Sequence, residues 1–405
     1  MPSRAGRRWA SRRSSPGMEI KQQGQAGAVS GPAWRKGDKP PNIIGRDFMP
    51  RRKFGVLVVG MLAAAMIMGA VAASAAELPS IKWRMTTSWP NGIPLYTDMA
   101  EVFAKTVGDL TGGKFKVQVL PGGAVAPALE VTDAIQKGIV EMGHLWPGYD
   151  IGKDATAAIL GGYAGDMESA AALHWLYAGG GDKLWREWRL AKFGIIGMAC
   201  GMRPTEVFLH SHKPIKTLAD FQGAKIRTVG AWADILPKMG AAVVSLPGNE
   251  VFPALERKVI DATEWATPGE NVISGFHEVA KYVIVPGSHQ PSAPFELEIN
   301  KAKWDSLPKE YQEVINYAAA YTTFMSWIKI GKLDMGAMET FKKKGNEIIT
   351  LDADTQAKIF QLGKEWATEK AKGNEWFQKV FDSKNSFEKG WDGMFATRYF
   401  AFKQH

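Results

Sequence analysis

From Ile81 onward the chain switches between two hydrophobic periods. Alternation in IKWRMTTSW (81–89) predicts a strand, Met99, Val102, Phe103 and Val107 share one face of a helix over 96–110, and KFKVQVL (114–120) predicts a second strand. After Pro-Gly-Gly come a helix over 129–137, a short strand IVEMGH and a loop, LWPGYDIGKD. The second half repeats the scheme: KIRTVG as strand, ADILPKMG as helix, AVVSLPG as strand, EVFPALERK as helix, VIDATEW as a buried strand, then another loop. Strand and helix in alternation define an α/β fold.

The repetition extends to single residues. Residues 134–141 (AIQKGIVE) set against 254–261 (ALERKVID) pair similar chemistry at seven of eight positions and bring His144 opposite Glu264. Any helix-strand unit gives such a match by chance, so it is suggestive only. If real, it makes the chain two similar lobes around a cleft. Ligands of open α/β sheets bind beyond the carboxyl ends of strands. The first such loop carries His144, Trp146 and Tyr149, and the second carries Glu264 and Trp265.

One segment breaks the alternation. Residues 308–344 hold no proline after Pro308 and keep a helical period through Val314, Ile315, Ala318, Tyr321, Met325 and Ile328. A single helix there runs to about 55 Å at 1.5 Å per residue, long enough to brace both lobes, unless it breaks near Gly331 or Gly336. Trp366, Trp376, Phe377, Phe381, Phe387 and Trp391 follow at helical spacing, which suits core or subunit contact.

Composition changes meaning once the amino terminus is set apart. Arg51-Arg52-Lys53, the apolar run FGVLVVGMLAAAMIMGAV and Ala73-Ser74-Ala75 read as a signal peptide over 49–75. Residues 1–48 lack apolar periodicity and read as a non-native or disordered extension ahead of a start at Met49. The formal charge is +9, yet the first 75 residues hold 13 of the 50 Lys and Arg and only 3 of the 41 Asp and Glu. The remainder, 37 basic against 38 acidic residues, is close to neutral, which removes the case for a nucleic-acid partner. Cys200 is the sole cysteine, so neither an intrachain disulfide nor a cysteine metal cluster forms.

Enzyme signatures are sparse. The chain has no GxSxG, HExxH or GxxxxGK[ST] motif. His210-Ser211-His212 resembles a metal pair, though a solvated loop is the simpler reading, and Gly179-Gly180-Gly181 reads as a helix entry. Arg227 stands out because KIRTVG holds it on a strand, from which a guanidinium can grip a carboxylate with two parallel hydrogen bonds. A surface or lobe-bridging arginine remains the alternative.

The segments SWPNGIPLYTDMAEVFAKTVGDLTGGKFKVQVLPGG, ALEVTDAIQKGIVEMGHLWPGY, GGGDKLWREW, KPIKTLADFQGAKIRTVG, LPGNEVFPALERKVIDATEW and NKAKWDSLPKEYQ occur in that order. Together they resemble the solute-binding subunit of a tripartite ATP-independent periplasmic (TRAP) transporter, in the branch that binds 2-oxo acids and related monocarboxylates. The resemblance implies a two-lobed periplasmic-binding-protein-like fold with a hinge cleft and a long lobe-spanning helix. It implies lobe I over 76–203 plus about 293–330, and lobe II over about 204–292 plus 331–405. It also implies a periplasmic location by Sec or twin-arginine export, TRAP membrane subunits as partners, a homodimer, and no organic cofactor.

The family's carboxylate-clamping arginine falls on Arg227. Its glutamate falls on Glu264, which with the Trp265 carbonyl helps hold a cation bridging to the ligand. Trp89, His144, Trp146, Tyr149, Trp265, His289 and Gln290 are the accompanying ligand candidates. The chain departs from the pattern at Glu206, where relatives carry a neutral Gln as cation ligand, at Met202 and Arg203, and at His289-Gln290. Two carboxylates beside an anionic ligand favour Ca²⁺ over Na⁺; the alternative is that Glu206 pairs with Arg203 or a lysine outside the site, leaving a sodium-type site or none. The competing expectations are a periplasmic enzyme using Glu206 and Glu264 as an acid/base pair with His144, and a sensor-linked binding protein of the same fold.

Overall fold

The computed structural model describes residues 77–398. The expected extension and signal peptide lie outside that range. Eleven strands among the described residues form two sheets. The first contains β1 (Ile81–Thr87), β2 (Phe115–Leu120), β3 (Met142–Leu145), β4 (Ile195–Arg203) and β10 (Ala293–Asn300), in the order β2-β1-β3-β10-β4. The second contains β5 (Leu209–Ser211), β6 (Lys225–Arg227), β7 (Ala242–Val244), β8 (Ala262–Thr263), β9 (Tyr282–Val285) and β11 (Glu347–Thr350), in the order β11-β9-β5-β8-β6-β7. The chain leaves the first sheet after β4, returns at β10, and leaves again through the helix Lys309–Asp334. The α/β two-lobed reading is the architecture observed.

Both faces of β10 are buried, for different reasons. Leu297 and Ile299 join Met85, Phe103, Met198, Tyr311 and Ile315 in an apolar layer beneath the long helix. Glu296 and Glu298 point the other way, as strand alternation requires, and meet Arg189 from the helix Gly181–Phe193. Gly180, at φ 88°, starts that helix, so the Gly179–Gly181 run is a helix entry.

The internal repeat is present in the backbone. Both copies end a helix and enter a left-handed residue, Gly138 at φ 68° in one and Lys258 at φ 56° in the other. They close with matching bonds, Ile139 N–H to Ala134 O at 3.0 Å and Val259 N–H to Ala254 O at 2.9 Å. The following strands then deliver His144 and Glu264. One expectation needs correction: the second strand is only Ala262–Thr263, and Val259 is 60% exposed, because the left-handed turn at Lys258 throws it outward before the chain joins the sheet.

The helix expected over 308–344 breaks near Gly336, into Lys309–Asp334 and Ala337–Lys343. At 1.5 Å per residue its long part spans about 39 Å. Trp366 and Phe377 are core residues, with Trp376, Phe381, Phe387 and Trp391 packed around them. The last helix, Glu375–Arg398, lies against Thr156–Gly161, Ser169–Tyr177 and Gly181–Phe193. It therefore packs on segments expected in lobe I rather than within lobe II alone. Lys384 fixes it there, donating to Asp166 at 2.7 Å and to the Ile159 carbonyl at 2.8 Å. No helix among the described residues is long and apolar enough to cross a membrane.

Candidate functional site

Strand register creates the charged end of the site. β6 runs parallel to β8 with Arg227 opposite Thr263, so the residue after β8, Glu264, comes beside the Arg227 side chain. Nη1 of Arg227 donates to Glu264 Oε1 at 2.9 Å, while Nε and Nη2 donate to the Leu246 carbonyl at 3.2 and 2.9 Å. A guanidinium has five N–H groups, so one remains on each terminal nitrogen. The Trp265 ring centroid lies 5.7 Å from the guanidinium carbon. Burial raises the Glu264 carboxyl, with Arg227 opposing the shift.

A second guanidinium arrives from the first sheet. Arg203, at the end of β4, donates from Nη1 to Glu206 Oε1 at 2.7 Å and lies 2.6 Å from Glu270 Oε2 through Nε. It also reaches the Trp265 carbonyl at 3.4 Å and sits over the Phe295 ring at 5.0 Å. Glu206 and Glu264 thus each give one oxygen to an arginine. His289 completes the group: its Nε2 lies 3.4 Å from Glu206 Oε2. One ligand atom each from Glu206, Glu264 and His289 fall within 4.8 Å of one another. Both His289 ring nitrogens are buried without a hydrogen-bond partner. Such orphans are uncommon in folded proteins and call for a partner.

Aromatic side chains close the other end. Trp89 packs edge-on against Phe295 at 5.5 Å, and Trp146 edge-on against Tyr149 at 5.4 Å. The Trp146 indole occupies space cleared by glycines, since a Cβ on Gly148 or Gly230 would lie 2.2 or 2.3 Å from its ring. Its Nε1 donates to the Gly161 carbonyl, as does the Gln290 amide. The Gln290 nitrogen also donates to Ser292 O at 2.8 Å, leaving the amide oxygen as acceptor. Burial pushes the Tyr149 hydroxyl up to about 12, with Arg227, Glu264, Arg203 and Glu206 all acting on it.

The resulting cavity is lined by Trp89, Trp146, Tyr149, Glu206, Arg227, Glu264, Trp265, His289 and Gln290, nine of the ten residues singled out from the sequence. The tenth, His144, is corrected. It is fully buried behind Trp89, accepting the indole N–H at Nδ1 at 2.8 Å. Because an indole only donates, Nε2 carries the proton, which it donates to the Cys200 carbonyl at 2.9 Å. Burial lowers this imidazole to about 4 and keeps it neutral. His144 therefore orients Trp89 and has no face on the cavity. His210 is likewise a buried strand residue, held by Asn271 at 3.0 Å, and His212 bonds the Leu255 carbonyl, so that pair is neither a solvated loop nor a joint ligand set. Arg203, Trp232 and Phe295 line the cavity without having been selected. For Arg203 the signal was its place at the carboxyl end of a strand three residues before Glu206.

Comparison with known proteins identifies the family of the chain. The family model for bacterial extracellular solute-binding protein, family 7 (DctP), matches residues 85–372. A monocarboxylate 2-oxoacid-binding periplasmic protein of Nostoc sp. is 30% identical over 318 residues, 78% of this chain and 86% of the relative. A TRAP transporter solute-binding protein of Bordetella bronchiseptica superposes with a TM-score of 0.76 at 28% identity, covering 79% of this chain and 95% of that one. That protein was crystallised as a mixed-occupancy dimer with copurified calcium and picolinate in its active site. A TRAP periplasmic solute-binding protein of Pseudoalteromonas atlantica, at 24% identity, a TM-score of 0.73 and coverage of 79% and 100%, shares the fold. The chain belongs to family 7 of the bacterial extracellular solute-binding proteins, the solute-binding subunits of TRAP transporters.

Proposed function

We propose that the cleft captures a small organic carboxylate, a 2-oxo acid or a hydroxy monocarboxylate, together with a divalent cation, and passes the acid unchanged to the membrane subunits. The observation that carries this reading is the pairing of Arg227 with Glu264 beside Glu206 and the unpartnered His289. Arg227 keeps one N–H on each terminal nitrogen for a ligand carboxylate. Glu206, Glu264 and the Trp265 carbonyl are oxygen donors of the kind calcium takes, and the Gln290 oxygen adds a neutral one. Bound there, the cation supplies a positive charge between the ligand and the protein carboxylates.

Charge favours calcium over sodium. Arg203 and Arg227 face Glu206, Glu264 and Glu270, three carboxylates against two guanidiniums. A monocarboxylate ligand deepens the deficit to two, which one divalent ion cancels and a monovalent ion does not. Glu206 both pairs with Arg203 and stays in the site, so the alternatives left open by the sequence coexist. The 2-oxo-acid name of the Nostoc relative and the calcium of the Bordetella protein support the same reading.

An acid/base enzyme is the weaker reading, since His144, its third group, is locked neutral behind Trp89. Further parts of the proposal are export to the periplasm with removal of residues up to about Ala75, lobe boundaries near 203 and 293, and pairing with a second copy. Mass spectrometry of acid-denatured protein, with elemental analysis, tests the central part. An intact small carboxylate and one calcium per chain are expected. A chemically altered product on incubation with the same acid would favour the enzyme.

A further inference from the structure

Arg203 holds two of the atoms assigned above to the cation. Its Nη1 donates to Glu206 Oε1 at 2.7 Å and reaches the Trp265 carbonyl at 3.4 Å. Its other edge faces Glu270, with Nε 2.6 Å from Oε2 and Nη2 donating to Oε1 at 3.2 Å. Glu270 lies on the helix Pro268–Ile273 and is itself fixed by Thr267, whose hydroxyl donates to Oε2 at 3.2 Å. Arg203 lines the cavity, yet it is only 5% exposed. The guanidinium therefore has one anchored edge and one end among the cation donors.

That end discriminates by charge. A guanidinium carries a single positive charge and is more weakly hydrated than an ammonium, so it sits among buried carboxylates at a lower desolvation cost. A monovalent ion that took its place on Glu206 Oε1 would exchange one unit charge for another and lose a charge-assisted hydrogen bond. A divalent ion doubles the attraction for Glu206 and Glu264 and takes six to eight oxygen ligands, which offsets the loss. Turning Nη1 away strands no buried charge, because Nε and Nη2 keep Glu270 as their counter-ion.

We infer that Arg203 is the specificity-determining residue of the cation site, a tethered monovalent cation that competes for Glu206 and the Trp265 carbonyl and yields only to a divalent ion. This role rests on the cation reading proposed above and goes beyond it, because a count of charges does not say which residue excludes sodium. An arginine that only braced the cleft would weaken cation binding when removed. A competitor strengthens it.

Calorimetric titration of calcium tests the role, on protein purified from cells expressing the full gene, freed of metal by chelator and of acid by dialysis. Arg203→Met combined with Glu270→Gln removes one charge of each sign, so the net charge of the site is kept while Glu206 Oε1 and the Trp265 carbonyl are released. Calcium should bind this double variant at least ~tenfold more tightly than wild type. Sodium at about 0.1 M, set against choline at equal ionic strength, should weaken calcium binding in the variant and not in wild type. Arg203→Lys keeps a charge opposite Glu270 but cannot span Glu206 as well. It should show both changes at roughly two- to fivefold, and it decides the matter if the double variant fails to melt cooperatively. Calcium affinity equal to or below that of wild type, or sodium without effect in the deciding variant, would overturn the role of Arg203 alone. No calcium uptake by any of these proteins, even with pyruvate present, would overturn the cation reading itself and this role with it.

Discussion

Two arginine clusters are buried among the described residues, and only one of these opens on a cavity. Arg189 meets Asp150 at 2.8 Å, Glu296 at 2.6 Å and Glu298 at 3.1 Å, all sealed from solvent between β10 and the helix Gly181–Phe193. Arg203 and Arg227 meet Glu206, Glu270 and Glu264 at similar distances but leave the His289 nitrogens and spare guanidinium N–H groups turned to the cleft. The chemistry of the two clusters is nearly the same. What separates scaffold from site is whether the chain itself satisfies the charges or leaves atoms for a guest.

That contrast sets opposite outcomes for the same kind of substitution. Arg189→Met strands three buried carboxylates and should destabilise the fold by about 3–5 kcal/mol, seen in denaturant unfolding. Arg227→Ala should cost less stability than Arg189→Met, because water entering the cleft can solvate Glu264, yet weaken carboxylate binding by about 2–5 kcal/mol, at least tenfold in calorimetry. Arg227→Lys should retain part of the charge effect and lose the bidentate geometry. If Arg227→Ala unfolds the protein while Arg189→Met does not, the two roles are reversed.

A pH series sharpens the comparison with a smaller effect. Burial, opposed by Arg189 and reinforced by the Glu296 and Asp150 charges, holds the Glu298 carboxyl well above its ordinary range, and its Oε2 has no partner among the described residues. A carboxyl raised in the folded state stabilises the fold fully below the unfolded pKa of about 4.3 and loses that contribution as pH rises toward the folded value. Glu298→Gln removes the penalty, so its melting temperature should match wild type near pH 4 and exceed it increasingly toward pH 7. A constant difference across the series would mean that the Glu298 carboxyl titrates alike in the folded and unfolded states and is not raised.

Much of this organisation was legible in the sequence because it is local. The helix-turn-strand repeat is written in residues 134–141 and 254–261, and the break of the long helix in Gly336. Cavity residues in short loops after strands, such as Trp146 and Glu264, could be read from the same order. His144 was misread because its burial depends on Trp89 and Cys200, 55 and 56 residues away. Arg203 gains its role from Glu270, and Glu298 from Arg189, contacts that exist only after the sheets assemble. The length of β8 was overestimated since a lysine, not a glycine, occupies the left-handed turn before it.

The central claim is that carboxylate and cation bind together, through Arg227 and Glu264. Calorimetric titration of pyruvate into chelator-treated protein, with and without micromolar calcium, tests it most directly. Calcium should strengthen binding at least tenfold in wild type and have no effect in Glu264→Gln. Binding of equal strength in chelated and calcium-loaded wild type would contradict the account.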